Sequence, residues 1–153
     1  MIQKNIGLLI ALSLFLTFGA SSAMAMTDAE LVSSMNQGRV EQGLTKFATN
    51  AKLEKAAHAK LLDMQNYKYW SHNNPVTGEL WWKNIYKAGV KGRAAENLAR
   101  GYSDSNTVVG GWISSPAHKA NMFNSIYKKV GVAVGEVEYP EGKKTVVIAE
   151  FGE

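Results

Sequence analysis

The side chains best suited to acid–base or metal chemistry in this sequence are its three histidines and one glutamate, Glu96. His58 lies in Ala-Ala-His-Ala-Lys, which indicates a solvated helix surface. His72 follows two tyrosines and a tryptophan in a polar turn. Because loops held on a rigid scaffold carry function more often than helix faces do, His72 is the stronger candidate of these two. Ordinary polar surface is the alternative for His72.

His118 is predicted to lie in the first turn of a helix that Ser115 caps and Pro116 begins. The positive end of the helix dipole lowers the pKa of such a histidine, and neutral imidazole ligates metals or acts as a base. A ring that only packs at the helix start is the alternative. Glu96 interrupts a short apolar run and needs a partner if it is buried. Pairing with Glu96 would raise the pKa of whichever histidine lies within hydrogen-bond distance.

Two histidines and a glutamate are a known zinc ligand set with an open position. However, no short spacing such as His-Glu-x-x-His joins His72, Glu96 and His118. From the residues alone we therefore predict a polar site and leave its chemistry open. Trp81 and Trp82 could line a ligand groove, but the large apolar area of each ring favours a place in the core.

The elements that must position these residues follow from periodicity and capping signals. Helices are predicted over about 28–42, 50–66 and 79–88, and two more begin after Asp104 or Ser103 and after Ser115. The second helix has an apolar stripe, and its charged residues are predicted to face water: Lys52, Glu54, Lys55 and Lys60. Residues 94–100 are predicted to form a strand, and 130–134 and 145–151 a C-terminal antiparallel hairpin. Helices first and strands last indicate the α+β class.

Composition excludes several classes of protein. The 153 residues are 46% hydrophobic and 20% charged, which is typical of one globular domain with a core. The absence of cysteine excludes a disulfide scaffold, a thiolate metal site and a cysteine nucleophile. The net charge of +4 is spread without a dense basic block, so nucleic acid is not an expected partner.

The N-terminal segment has the three parts of a secretory signal peptide. Lys4 precedes an uncharged apolar run, and Ala23-Met24-Ala25 is a cleavage site of small residues. An uncleaved anchor is the alternative, although the run is shorter than the ~20 residues that span a bilayer. We predict residues 1–25 as the signal peptide and 26–153 as one secreted domain without a stable membrane span.

Several motifs occur in the order seen in a known superfamily: Asn36-Gln37-Gly38-Arg39, Ser71-His72, Ala95-Glu96-Asn97-Leu98-Ala99, Gly111-Trp112-Ile113-Ser114-Ser115-Pro116-Ala117-His118, Val130-Gly131-Val132 and Glu150-Phe151-Gly152. The sequence resembles the CAP superfamily, which comprises cysteine-rich secretory proteins, antigen 5 and pathogenesis-related 1 proteins, and within it the short bacterial SCP-like branch. The resemblance implies a three-layer α-β-α sandwich with a central groove.

The resemblance also implies which residues line that groove. His72 and His118 match the two family histidines, and Glu96 matches the glutamate of the Glu-Asn motif. Ser115 stands where eukaryotic members have a second glutamate, so it is expected only to hydrogen bond. Some members bind a divalent metal in the groove. We therefore expect at most moderate zinc binding by His72 and His118 near Glu96, and a fold that does not depend on the ion.

Two functions remain open at this point. The resemblance favours a secreted binding module whose groove holds a small apolar or cell-envelope ligand, or a protein partner. The alternative is a metal-assisted hydrolase of peptide or cell-wall material, with Glu96 as its candidate catalytic residue. No serine or cysteine nucleophile has an obvious base in the sequence, which leaves enzyme activity less favoured than binding. A structural envelope protein with a vestigial cluster is the third interpretation.

Overall fold

A computed structural model describes residues 25–153 of the chain. Its helices are α1 (Asp28–Glu41), α2 (Ala51–Tyr67), α3 (Trp82–Lys87), α4 (Ser105–Ser114) and α5 (Pro116–Met122). Its strands are β1 (Ala48–Thr49), β2 (Ala94–Arg100), β3 (Lys129–Tyr139) and β4 (Gly142–Gly152). The predicted signal peptide, apart from its last residue, lies outside the described residues. Between residues 25 and 153, none of the helices has both the length and the apolar character needed to cross a bilayer.

The four strands form one mixed sheet between two layers of helices. Their order is β1-β3-β4-β2, with β1 parallel to β3 and the other neighbours antiparallel. Valines and alanines of the sheet pack on one face against α1 and α4, and alternate residues of the same strands pack on the other face against α2. The α+β class and the three-layer sandwich predicted from the sequence are confirmed.

Local capping explains where the two long helices begin. Thr27 and Glu30 form a capping box at the start of α1, since each side chain accepts a hydrogen bond from the other residue's backbone N–H. Asn50 caps α2 by accepting from the backbone N–H groups of Lys52 and Leu53. The third helix is shorter than predicted and begins at Trp82. Strand β1 is absent from the prediction because two residues carry no periodic signal.

Helix α2 lies directly on β3 at Gly131. A Cβ atom added there would lie 2.0 Å from the backbone nitrogen of Glu54 and 2.0 Å from the carbonyl carbon of Leu53. Such distances are far inside van der Waals contact, and backbone atoms cannot rotate away as a side chain can. Glycine is therefore required at position 131 for the helix to approach the sheet this closely.

Strand β2 is one edge of the sheet, and side chains bind its outward carbonyls. Ala94 O accepts from Tyr127 Oη at 3.4 Å, Glu96 O from Asn121 Nδ2 at 3.4 Å, and Leu98 O from Trp112 Nε1 at 3.0 Å. These donors come from α4, α5 and the segment after α5. The edge that carries Glu96 is thus fastened to the helices beside it.

Candidate functional site

Two of the predicted site residues, His72 and Glu96, form a pair in the structure. His72 Nδ1 lies 2.6 Å from Glu96 Oε1. The Glu96 side chain is 1% exposed, whereas the His72 side chain is 51% exposed. Because an ionised carboxylate only accepts hydrogen bonds, it fixes the tautomer with the proton on Nδ1. The other ring nitrogen, Nε2, is then an acceptor on a half-exposed imidazole.

A buried lysine holds the segment that carries His72, and this contradicts the prediction that Lys60 faces water. Lys60 is 1% exposed. Its ammonium donates to Tyr69 Oη at 2.9 Å, to Ser71 O at 3.1 Å and to His72 O. Burial lowers the pKa of Lys60, and the negative charge of Glu96 opposes that shift most strongly. Lys60 thus binds the backbone of the segment that carries His72.

Asp63 and Asn74 complete this support. Tyr69 Oη donates to Asp63, and Asn74 Nδ2 donates to both carboxylate oxygens of Asp63 at 3.1 and 3.0 Å. Burial and the Asp63 carboxylate raise the pKa of Tyr69. Asp63, near the end of α2, therefore has partners at both of its carboxylate oxygens. We call Lys60, Asp63, Tyr69 and Asn74 the His72 support.

A second buried carboxyl group, which sequence reasoning missed, lies opposite Glu96. Glu150 on β4 pairs in register with Glu96 on β2, and it is fully buried. Burial raises the pKa of Glu150 well above its usual value, and the neighbouring Glu96 raises it further. With both groups ionised, Glu96 Oε2 and both Glu150 oxygens lack a donor among the described residues. A protonated Glu150 supplies the O–H that such a pair needs.

His118 lies near His72 but is placed by a different part of the structure. It occupies the first turn of α5, as predicted, and Asn97 Nδ2 donates to its backbone carbonyl at 3.0 Å. Because successive strand residues face opposite sides, Glu96 faces His72 while Asn97 anchors α5. Ser115 is the N-cap residue of α5, but its side chain makes no capping hydrogen bond.

The pKa of His118 is lowered, first by burial and then by charge repulsion from the His72 ring when that ring is protonated. The direction agrees with the prediction from its helix position, although neither of these causes is the helix dipole. The expectation that Glu96 raises a histidine pKa applied to the ring within hydrogen-bond distance, which is His72 and not His118. His58, predicted as a solvated helix residue, is exposed, and its Nε2 lies 3.1 Å from Asp28 Oδ2.

The predicted zinc site consists of His72 and His118 with Glu96 nearby. In the structure Glu96 Oε1 lies against His72 Nδ1, so Glu96 holds the ring and is not itself a free metal ligand. Among residues 25–153, no three histidine, aspartate or glutamate side chains are placed to hold one metal ion. We therefore derive no step that passes through a metal, and zinc binding by His72 and His118 stays a prediction.

Trp82 lines a cleft rather than the core, which corrects the sequence interpretation for that residue, whereas Trp81 lines the same cleft and also packs against a buried cluster. This aromatic cleft has a volume of about 590 Å³ and is lined by Gly92 and by six side chains: Trp81, Trp82, Tyr86, Arg93, Ala94 and Tyr127. Trp82 is 39% exposed, and Trp81 is half-buried. Ala94 begins β2, two residues before Glu96, so the cleft and the His72–Glu96 pair share one edge of the sheet.

Comparison with known proteins agrees with this architecture. The profile of the cysteine-rich secretory protein family (CAP) matches residues 32–151. The uncharacterized protein YkwD of Bacillus subtilis is 30% identical over 122 residues, which cover 78% of this chain and 47% of that protein. The chain spans less than half the length of the curated relatives it matches.

Two solved bacterial structures share the fold. An outer surface protein from Borrelia burgdorferi has a TM-score of 0.67 and 23% identity, covering 80% of this chain and 89% of that one. An extracellular protein containing an SCP domain from Bacillus anthracis has a TM-score of 0.68 and 22% identity, covering 82% of this chain and 39% of that one.

Proposed function

Because the chain belongs to the cysteine-rich secretory protein (CAP) family, we propose that it is a binding module of the cell exterior whose ligand contacts His72. The observation that carries this proposal is the half-exposed imidazole held by a buried carboxylate. A ring fixed before the ligand arrives loses little conformational freedom on binding. The His72 support holds the backbone of the same segment, so both the ring and its loop are preorganised.

The ligand classes that we propose are a cell-envelope molecule, a small apolar molecule or a protein partner. The predicted signal peptide would bring the domain to the compartment where such ligands occur. The aromatic cleft beside the His72–Glu96 pair supports this proposal, since exposed clusters of large apolar side chains mark binding surfaces. Neither a nucleic-acid partner nor a membrane-spanning form belongs to the proposal.

A hydrolase is the second candidate, and the His72–Glu96 hydrogen bond favours it. A carboxylate that orients a histidine through Nδ1 leaves Nε2 able to take a proton from water or a hydroxyl group. In this arrangement His72 is the base and Glu96 is a positioning residue, which differs from the role predicted for Glu96. Among the described residues, however, the only hydrogen bond of the His72 ring goes to Glu96, so no nucleophile is held against it.

The experiment that tests the binding proposal compares His72→Ala with His58→Ala. Both histidines are exposed, and only His72 belongs to the proposed site. The exported protein is incubated with cell-envelope fragments of the cell that produces it, and the bound fraction is measured at increasing protein concentration. We expect roughly tenfold weaker binding for His72→Ala and unchanged binding for His58→Ala. Equal binding by all three proteins would contradict the proposal.

A hydrolase is distinguished in the same samples by the release of small fragments. If the wild-type protein releases sugars or peptides and His72→Ala does not, the second candidate replaces the first.

The predicted cleavage of the signal peptide is tested separately, by sequencing the N-terminus of the exported protein, which we expect to begin at Met26. Retention of Met1 on a membrane-bound form would instead indicate an anchor.

A further inference from the structure

Exposed apolar side chains concentrate around the candidate site. Six of the nine large apolar side chains that are exposed between residues 25 and 153 lie in residues 67–86. Two of the six, Trp82 and Tyr86, lie in the aromatic cleft, where their rings meet edge to face at 5.7 Å and 72°. Tryptophan and tyrosine side chains bury large apolar areas in most proteins, so exposing both in one cleft indicates a ligand that covers them.

The walls of the cleft are fixed by the rest of the structure. Trp81 and Ala94 pack against a buried cluster of Leu53, Ala56 and Ile85. The backbone N–H of Trp81 donates to Asn73 Oδ1 at 3.0 Å, and Tyr86 Oη donates to Gly92 O at 3.3 Å. The Tyr127 ring stacks on the buried Phe151 at 5.9 Å. These contacts hold the walls of the cleft in place, so binding orders little of the chain and its entropic cost is low.

The cleft is lined by both aromatic rings and hydrogen-bonding groups, and this combination indicates the class of ligand. Aromatic rings offer apolar faces of negative potential, which suit the C–H face of a sugar ring. The Arg93 guanidinium can donate hydrogen bonds to a ligand, and the hydroxyl oxygens of Tyr86 and Tyr127, which already donate to Gly92 O and Ala94 O, can accept them. Both suit the hydroxyl and amide groups around a sugar. An alkyl chain would find fewer partners here, because the cleft is open and its polar rim would be desolvated without compensation.

Positive charge beside the cleft adds a preference for an anion. Lys91 and Arg93 flank Gly92, and Lys83 follows Trp82 on α3. The Arg93 side chain is largely exposed, and within residues 25–153 its one acidic partner is Glu153 Oε1 at 3.5 Å, a weak surface contact. A guanidinium in this setting can pair with a carboxylate of the ligand in a bidentate geometry.

We propose that the aromatic cleft binds an acidic saccharide, with its sugar ring on Trp82 and Tyr86 and its carboxylate on Arg93. This inference rests on the proposed binding function and names a ligand class for it. The probe is the disaccharide of N-acetylglucosamine and N-acetylmuramic acid, which carries a carboxylate. The N-acetylglucosamine dimer serves as the neutral counterpart of similar size.

In an NMR titration of the whole ¹⁵N-labelled protein, the indole N–H signals of the four tryptophans show which of these side chains lie near the bound disaccharide. We expect the acidic disaccharide to shift the signals of Trp81 and Trp82. Trp112 is buried with its Nε1 bonded to Leu98 O, and Trp70 lies near Arg100 at the other end of β2. Their signals are expected to remain in place. Shifts confined to Trp70 and Trp112, or no shift at all, would overturn the proposal.

Two matched tryptophan variants test the contact. Trp82 and Trp70 are almost equally exposed, at 39% and 38%, so their removal perturbs folding to a similar and small extent. We expect Trp82→Ala to weaken binding roughly tenfold and Trp70→Ala to leave it unchanged. We expect Arg93→Gln to bind the acidic and neutral disaccharides equally. An unaltered preference for the acidic probe would refute the role of Arg93.

Two further outcomes separate this inference from the proposed function and from a membrane surface. If envelope binding depends on His72 but neither disaccharide binds, the saccharide inference fails while the binding function stands. If vesicles of anionic phospholipid shift the Trp82 signal and the disaccharides do not, the cleft is a lipid-surface contact and the saccharide proposal is wrong. Binding of the disaccharide with equal strength by Trp82→Ala would also refute it.

Discussion

Two buried cations anchor two different regions of this domain, and they differ in their neighbours. Arg39 of α1 is fully buried and donates to backbone carbonyls of Thr45, Met122, Asn124 and Tyr127. Its guanidinium also lies 3.9 Å from the centre of the Phe47 ring. Lys60 of α2 instead donates to Tyr69 and to the backbone of Ser71 and His72, next to buried carboxyl groups.

The difference separates a structural anchor from one coupled to the candidate site. Arginine stays charged under all ordinary conditions, and the bonds of Arg39 go to carbonyls that do not titrate. Lys60 shares its surroundings with Glu96 and Glu150, so its interactions depend on their protonation. We expect loss of Arg39 to affect mainly the free energy of unfolding, and loss of Lys60 to affect the His72 segment as well.

The largest expected effect is that of Arg39→Met. The substitution keeps much of the side-chain volume but leaves several buried carbonyls without a donor, so we expect a loss of about 4 kcal/mol in the free energy of unfolding. Urea denaturation followed by circular dichroism measures this loss. Arg93→Met, at an exposed position, is the matched control and should change stability by less than about 0.5 kcal/mol. A loss below about 1 kcal/mol for Arg39→Met would show that Arg39 is not a structural anchor.

A smaller loss of stability, with a change at the site, is expected for Lys60→Met. Removing a buried ammonium also removes the cost of its desolvation, so we expect a loss of about 2 kcal/mol. The His72 segment loses its backbone donor, and the His72 ring resonance in NMR spectra should broaden or split. Lys55→Met on the exposed side of α2 is the control. An unchanged His72 resonance in Lys60→Met would show that the lysine is only structural.

The pH dependence of stability tests the carboxyl pair. The folded-state pKa of Glu150 is raised above 4.5, so between the unfolded and folded pKa values the folded state binds more protons. The free energy of unfolding therefore falls as pH rises through that window. Glu150→Gln removes this slope, so we expect the variant to gain about 1 kcal/mol relative to the wild type as the pH rises above 4.5.

Thermal melts of both proteins at each pH measure this difference. The opposite contribution of His118, whose lowered pKa favours the folded state as pH rises toward 6.5, is present in both proteins and cancels. Parallel pH profiles for the two proteins would mean that Glu150 is ionised in the folded state. The Arg39 region should contribute no slope, since the bonds of Arg39 within the described residues go to backbone carbonyls.

The smallest expected effect is that of metal removal. Both anchors are cations that donate hydrogen bonds, and the cores on the two faces of the sheet consist of apolar side chains. We expect a chelator to leave the unfolding temperature unchanged. A zinc titration by calorimetry, with the double variant His72→Ala, His118→Ala as the control, measures whether the two histidines bind the ion at all. Unfolding on chelation would show that a metal supports the fold.

Much of the fold was predictable because its signals are local. Capping residues and apolar stripes marked α1 and α2, and alternating valines marked the hairpin of β3 and β4. The two buried cations were not predictable in this way. Lys60 was assigned to the surface on its charge, and Arg39 binds carbonyls more than 80 positions away in the chain.

The candidate site was predictable only in part. Local patterns suggested His72, Glu96 and His118 as separate candidates, and the family resemblance alone brought them together. Glu150 was not predicted as a site residue. Its position opposite Glu96 depends on the register between β2 and β4, and neither strand's sequence alone determines that register. The sequence left a ligand groove at Trp81 and Trp82 as the less favoured interpretation, because a tryptophan pair in a short helix is more often a core feature.

The side chains that bind the outer carbonyls of β2 also bear on how copies of this protein meet one another. An open strand edge is a template on which a second chain can add a strand, and repeated addition leads to aggregation. Here Tyr127, Asn121 and Trp112 occupy three successive outward acceptors of β2. At the opposite edge, β1 pairs only with Lys129 and Val130 of β3, and beyond it Asp28 Oδ1 accepts from the backbone N–H of Val134 while Gln65 Nε2 donates to Glu136 O. Side chains thus occupy backbone groups on both edges of the sheet, so fewer of those groups are available to pair with a strand of a second copy.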